Sequence, residues 1–254
     1  MIKNKNHFFI SYHGNKRNEF NNIYDQIKDK LDNIEIIVEP YCGSSAFSYF
    51  LSVKHPKKFK YILNDNNHYL MQLYDTGSNK KLLNDLISKL NEFSKDLTVN
   101  KYNDIVKVDK FENWFYKHKI YNIRPGLYPI NRTIKTDFED LKEAPIMHFL
   151  NNERFELYND DGINILEHYK NNKKALIFLD PPYLISCNSF YKDCNVNIYE
   201  YLYNNQINKM KAYVVLCLEN NWIIKLLFKD FIKFEYDKQY ELSKKNTSHL
   251  IITN

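Results

Sequence analysis

The sequence is short of the residues that punctuate or staple small folds, with five glycines, seven prolines and four cysteines in 254 residues. Cys42, Cys187, Cys194 and Cys217 are widely spaced, with no Cys-x-x-Cys pair and no histidine cluster beside them. This excludes a disulfide framework and a thiolate metal site, and it fits a reducing compartment. Arginine is scarce too, confined to Arg17, Arg124, Arg132 and Arg154. Positive charge therefore rests on lysine, a point charge that suits phosphates better than the planar fork that reads guanine edges. There is no dense basic tract: a net charge of +5, from 36 basic against 31 acidic side chains, permits a polyanionic partner without demanding one. The opening Met1-Ile2-Lys3-Asn4-Lys5 has no apolar signal core, and runs such as Tyr213 to Leu218 are too short to span a bilayer. The expectation is a soluble, intracellular protein without membrane contact. No internal repeat or low-complexity linker is visible.

What is present is enough apolar residue, 44%, to bury a full core. Short apolar runs at Ile34 to Glu39 and Lys60 to Leu63 each end in a turn signal and lead into helix-like spacing. The same alternation returns from Arg154. Phe155 to Tyr158, Ala175 to Leu179 and Tyr213 to Leu218 are predicted strands, alternating with helices at Asn164 to Tyr169, Ile198 to Met210 and Asn221 to Lys229. Strand-helix alternation of this kind builds a parallel sheet with an α/β fold. The tail, Phe231 to Tyr240 and His249 to Thr253, reads as a final antiparallel hairpin. Between the two blocks, residues 67–150 show helical periodicity (Leu82, Leu83, Leu86, Ile87, Leu90) and a turn-rich stretch at Pro125-Gly126 and Pro129. The expected organisation is a sheet domain of residues 1–66 and 151–254 that carries a mostly helical insertion at 67–150.

Asp180-Pro181-Pro182-Tyr183, directly after the apolar run Ala175 to Leu179, carries the most chemistry. Successive prolines fix the backbone and remove two donors, which leaves the neighbouring carbonyls to accept from a ligand. One carboxylate, an acceptor carbonyl and an aromatic face are what a planar amino group needs before it can be methylated. The bland alternative is a strand ending in a Pro-Pro turn, with Asp180 as a cap and Tyr183 as packing. Glu39-Pro40-Tyr41-Cys42-Gly43-Ser44-Ser45 falls between a strand and a helix, where open α/β sheets bind ligands. Gly43 permits a tight turn, and the helix offers unpaired N-H groups to an anion; an ordinary turn with Ser44 or Ser45 as N-cap explains the same residues. Asp65, ending the next strand, stands where a carboxylate takes ribose hydroxyls, while a cap at Asn64 or Asp65 is equally good chemistry.

In this combination and order the motifs resemble the Dam-type (alpha-class) adenine-N6 DNA methyltransferases. Tyr12-His13-Gly14-Asn15-Lys16 resembles that family's N-terminal motif, Glu39 to Ser45 its glycine loop, and Asn64-Asp65 its ribose-binding motif. Asn159-Asp160-Asp161 is similar to its next cofactor motif, Asp180 to Tyr183 matches its catalytic motif, and Leu250 to Asn254 resembles its closing strand. Ser45 stands where many relatives carry a second glycine, and Glu219-Asn220 where they often carry Ser-Asn.

The resemblance implies a Rossmann-like class I methyltransferase sheet, mostly parallel with a C-terminal antiparallel hairpin, and a target-recognition role for the helical insertion. It implies S-adenosyl-L-methionine as cofactor, held by Tyr12, Lys16, Glu39, Tyr41, Cys42, Gly43, Ser44, Ser45, Asp65, Asp161 and Asp180, and no metal. Catalysis would rest on Asp180, Pro181, Pro182 and Tyr183, acting on an adenine flipped from duplex DNA. For DNA contact the candidates are Arg124 and Arg132, which bracket the Pro125-Gly126 and Pro129 turns, with Lys117, Lys119 and Lys135 on phosphates. Two rivals stay open: a methyltransferase for RNA adenine or another amino group, and an inactive nucleic-acid-binding subunit that has kept the fold.

Overall fold

In the computed structural model, which describes residues 8–10, 16–121, 137–183, 197–205, 207–239 and 246–254, the elements follow the expected alternation. The first part contains α1 (Phe20–Ile27), β1 (Ile36–Glu39), α2 (Ala46–Lys54) and β2 (Lys60–Asn64). Five helices follow: α3 (His68–Ser78), α4 (Lys80–Ser94), α5 (Val99–Lys107), α6 (Phe111–Tyr121) and α7 (Ile146–Asn152). The second block contains β3 (Arg154–Tyr158), α8 (Gly162–Tyr169), β4 (Ala175–Leu179), α9 (Asn197–Asn204), β5 (Tyr213–Glu219), α10 (Trp222–Phe228), β6 (Ile232–Gln239) and β7 (Asn246–Thr253). The chain divides into two units, one of residues 16–66 and 154–254, the other of residues 1–15 and 67–153.

The first unit is built on one sheet of order β3-β2-β1-β4-β5-β7-β6. Strands β3, β2, β1, β4 and β5 are parallel neighbours, and β7 runs antiparallel between β5 and β6. This is the mostly parallel, Rossmann-like sheet with a C-terminal antiparallel pair that the sequence leads one to expect. Every residue of β4 is buried, as are the interior five of β5. Strands covered on both faces read as unbroken apolar runs rather than alternating ones, which is why Ala175 to Leu179 shows no polar position. At the edge, β3 is only partly buried, and there Glu156 pairs with Lys60 of β2 at 2.6 Å. In the core, Phe47 of α2 lies flat on Phe178 of β4, with ring centroids 4.0 Å apart and planes 8° from parallel.

The second unit is helical among the described residues. In α4, Leu83, Leu86, Ile87 and Leu90 of the predicted stripe are buried while Leu82, in the first turn, is exposed, and Asn79 caps the helix by accepting from the Lys81 and Leu82 amides. Asn67 caps α3 in the same manner, accepting from Tyr69 N and Leu70 N. The cap therefore lies at Asn67 and not at Asn64 or Asp65, because β2 and its turn run further before the chain bends into α3. Phe9 packs in this unit: a Cβ added at Gly77 would come within 2.7 Å of the Phe9 ring and of Leu150.

Candidate functional site

Strand order reverses between β1 and β4, so the connections leaving their carboxyl ends part in opposite directions and open a crevice there. Residues 40–45 leave β1 at that point and Asp180 leaves β4. The loop turns tightly through two left-handed residues, Gly43 at φ 47° and Ser45 at φ 52°. Gly43 takes that conformation at no steric cost, whereas Ser45 does so against its Cβ. Ser45 stands at the N-cap position of α2 but its side chain makes no cap bond, so the serine capping weighed from sequence is not what holds this turn. Backbone bonds hold it instead: Ser45 N donates to Cys42 O at 2.6 Å, and Cys42 N to Asn64 O at 2.8 Å. The hydroxyls of Ser45 and Ser48 are buried, beside Cys42 and Glu39 respectively.

Glu39, at the end of β1, is 2% exposed and accepts from Ser48 N at 3.0 Å. Burial pushes its carboxyl up to about 8; the Ser48 bonds oppose the rise and the charge of Asp180 adds to it. It therefore keeps its proton to a higher pH than an ordinary glutamate. Burial, then Asp65 and Glu39, raise the Cys42 thiol well above its ordinary range, which makes it an inert packing group and not a nucleophile.

Asp65 places its carboxylate on the same loop, accepting from Gly43 N at 3.1 Å. Beside it, Asn64 is fully buried and ties three strand ends together. Its amide donates to Pro40 O at 2.8 Å and Asp160 O at 3.0 Å, and its oxygen accepts from Asp160 N at 2.9 Å. Asn159 donates to Asp65 O at 2.8 Å, completing the join between the β2 and β3 ends. Asp161 is the N-cap of α8, accepting from Ile163 N at 2.8 Å. The next residue, Gly162, lies under the Tyr41 ring so closely that an added Cβ would sit 2.4 Å from Tyr41 Cζ. Tyr41, Cys42, Gly43, Asp65 and Asp161 are thus brought to one end of the sheet.

At the Asp180 corner, Lys16 Nζ donates to Asp180 Oδ2 at 2.5 Å and to Tyr183 OH at 3.0 Å, and Tyr183 OH donates to Asp180 Oδ1 at 3.3 Å. Lys16 is 2% exposed and Asp180 19%, so the pair is shielded while one face of the carboxylate remains accessible. Burial disfavours the Lys16 charge, but Asp180 and Glu19 outweigh it and hold the ammonium well above its usual range. Burial also raises Asp180, with Lys16 opposing. The carbonyls of the two prolines are not equivalent. Pro182 O accepts from Tyr199 OH at 2.9 Å, which corrects the reading that both neighbouring carbonyls await a ligand. No donor among the described residues reaches Pro181 O.

Other candidates are placed differently. Tyr12, Arg124, Arg132 and Lys135 lie outside the described residues. Lys117 is half-buried on α6. Lys119 on the same helix donates to Phe9 O at 3.0 Å, an internal use that competes with contact to a phosphate. Among the described residues there is no cluster of His, Cys, Asp or Glu fit to hold a metal, and no helix long and apolar enough to cross a membrane. Asn64, which the sequence offered as part of the Asn64-Asp65 motif or as a cap, instead joins the strand ends, and two residues the sequence did not single out, Glu19 and His249, lie behind the corner. A buried asparagine closing a strand was a signal for the first; nothing local marks the other two.

Comparison with known families gives a match over residues 12–125 to the D12 class N6 adenine-specific DNA methyltransferases. The matched segment contains the β1 loop and Asp65 and ends before the Asp180 corner. No curated protein matches the chain.

Proposed function

We propose that the chain, whose residues 12–125 match the D12 class of N6 adenine-specific DNA methyltransferases, is an enzyme of that class and that methyl transfer is carried out at Asp180 with S-adenosylmethionine as donor. An enzyme of that class methylates adenine N6 in DNA, and that reaction requires a methyl donor; its identity and the residues that hold it are our reading. The observation that carries the reading is the Asp180 corner, where a part-exposed carboxylate, the Pro181 carbonyl and the Tyr183 ring follow one buried strand at the crevice.

The β1 loop suits an amino-acid nucleoside. Asp65 accepts from Gly43 N, and an ionised carboxylate, an acceptor only, is the group that suits ribose hydroxyls. The buried Ser45 hydroxyl at the start of α2 offers a polar atom on a loop that has no side-chain cap. Glu39, Tyr41, Cys42, Gly43 and Ser44 shape the same loop. When bound, the cofactor supplies an electrophilic methyl group on a sulfonium.

The amino lone pair of adenine is delocalised into its ring, so the nitrogen must pyramidalise before it can attack. Asp180 and Pro181 O, accepting the two amino hydrogens, favour that geometry and stabilise the positive charge that develops on nitrogen. Tyr183 stacks against the base. Holding nitrogen in line with the methyl group removes the entropic cost of the encounter. Afterwards the nitrogen is acidic, and the proton leaves by Asp180 or by water. The target atom is inaccessible in a stacked duplex, so the adenine is flipped out, at a cost of a few kcal/mol. The helical unit is assigned to target recognition, with Lys117 and the Arg124 to Lys135 stretch as its basic contacts.

The test is transfer of labelled methyl from S-adenosylmethionine to A/T-rich duplex DNA, single-stranded DNA and RNA, with Asp180→Ala alongside. Label on DNA adenine, lost in a folded Asp180→Ala, is the expected result. A variant that keeps more than a few per cent of the rate removes Asp180 from the chemistry, and cofactor that binds without transfer to DNA points to another acceptor.

A further inference from the structure

Behind the Asp180 corner lies a buried polar cluster that the mechanism above does not use. Glu19, at the start of α1, is 3% exposed. Its carboxylate accepts from Tyr236 OH and from Lys238 Nζ, both on β6. His249 Nδ1 on β7 lies 3.2 Å from Glu19 Oε2, at ion-pair distance, and His249 is fully buried. The His249 ring meets Tyr183 edge to face, with centroids 5.4 Å apart and planes 84° from parallel. Tyr183 OH in turn bridges Lys16 Nζ and Asp180 Oδ1. A continuous line of contacts therefore runs from Glu19 through His249 and Tyr183 to the carboxylate that receives the amino group.

Charge gives this line a purpose. Lys16 Nζ lies 2.5 Å from Asp180 Oδ2, so an incoming amino group must compete with the ammonium for the carboxylate. A buried cation whose partner is taken away is strongly destabilised unless a second anion is near. Glu19, whose N-H donates to Lys16 O at 3.2 Å, is a second carboxylate whose charge favours the ammonium. Its own carboxyl would be raised by burial, but Lys16, His249 and Lys238 hold it well below the usual carboxylate range, so it stays ionised.

We propose that Glu19 is a positioning residue for methyl transfer: acting through His249 it fixes the Tyr183 ring, whose hydroxyl meets both Lys16 Nζ and Asp180 Oδ1. It touches neither base nor cofactor. The inference rests on the proposed role of Asp180, and it extends the functional machinery to the β6-β7 hairpin.

The test compares Glu19→Gln, Glu19→Asp and His249→Phe with the unaltered enzyme, reading kcat and KM on duplex DNA, the Kd for S-adenosylmethionine by calorimetry, and thermal melting. Misplacement of reacting groups by about 1 Å from a remote change can cost about 100-fold in rate, so a fall in kcat of about 10- to 100-fold is the scale for such a role. That loss is expected of Glu19→Gln with cofactor Kd unchanged within about twofold. Glu19→Asp, which keeps the charge, should recover part of the rate. His249→Phe keeps a ring against Tyr183 but loses the nitrogen facing Glu19, and a smaller fall in kcat is expected. The inference is overturned if Glu19→Gln turns over like the unaltered enzyme, or if cofactor affinity falls in step with kcat, as a purely structural role would require. Should Glu19→Gln not fold, His249→Phe decides alone: undiminished kcat in it breaks the line of contacts. If the unaltered enzyme transfers no methyl to DNA, the reading of Asp180 fails first, and that result is distinct from either outcome above.

Discussion

Replacing Glu39 by glutamine removes one titrating proton while keeping the shape and the oxygen that accepts from Ser48 N at 3.0 Å. The carboxyl ordinarily titrates near 4.5 and is pushed up to about 8 in the fold, chiefly by burial. Over that window the folded protein holds a proton that the unfolded chain has released. The contribution of Glu39 to stability is therefore greatest below pH 4.5, falls as pH rises, and is lost once the folded group ionises above about 8. At about 1.36 kcal/mol per pH unit the loss is at most roughly 5 kcal/mol. Local relaxation and water entry reduce such figures in practice, and about 2 to 4 kcal/mol is the expected difference. Urea denaturation of both proteins from about pH 5 to pH 9 measures it. The two should be close in stability at the acid end, with Glu39→Gln the more stable at the alkaline end. Asp180, also raised by burial, is present in both and cancels to first order. Stability curves that stay parallel across the range would refute a buried Glu39 that keeps its proton above the ordinary range.

Two further outcomes follow from the β1 loop. Asp65→Asn removes a charge-assisted bond to Gly43 N and the carboxylate meant for ribose, so the Kd for S-adenosylmethionine should rise about 10- to 100-fold with DNA affinity unchanged. Calorimetry with cofactor and with oligonucleotide separates the two, and equal losses would reject the ribose role. Gly162→Ala drives a methyl group to within 2.4 Å of the Tyr41 ring, and overpacking of this kind costs about 1 to 3 kcal/mol. Unaltered urea stability would mean that the ring yields without cost.

The sheet was legible in the sequence because its central strands are covered on both faces. Ala175 to Leu179 could hardly be anything but a buried strand, and the Asp-Pro-Pro-Tyr corner stands out because it ends that run. The helical stripe on α4 was equally plain. What stayed hidden depends on contacts between distant residues. Glu19 and His249 are 230 positions apart, and nothing near either one marks it as half of a pair. Capping was misjudged for a more local reason: Asn64, Asp65 and Asn67 are all good caps, and only the length of β2 decides among them. The prolines tell the same story, since loss of their N-H donors was evident from the sequence while the claim of Tyr199 on Pro182 O was not.

The stack of Phe47 on Phe178 has a consequence for how such an enzyme can change over generations. Phe47 is the second residue of α2, just past the loop that would hold the cofactor, and Phe178 stands two residues ahead of Asp180. Both rings are almost wholly buried, so neither can be trimmed without the other losing its contact. A lineage exploring new substrates cannot easily retune cofactor grip and reaction geometry one at a time. Substitutions at these two positions should appear in relatives as compensating pairs, and laboratory evolution confined to one of them should stall.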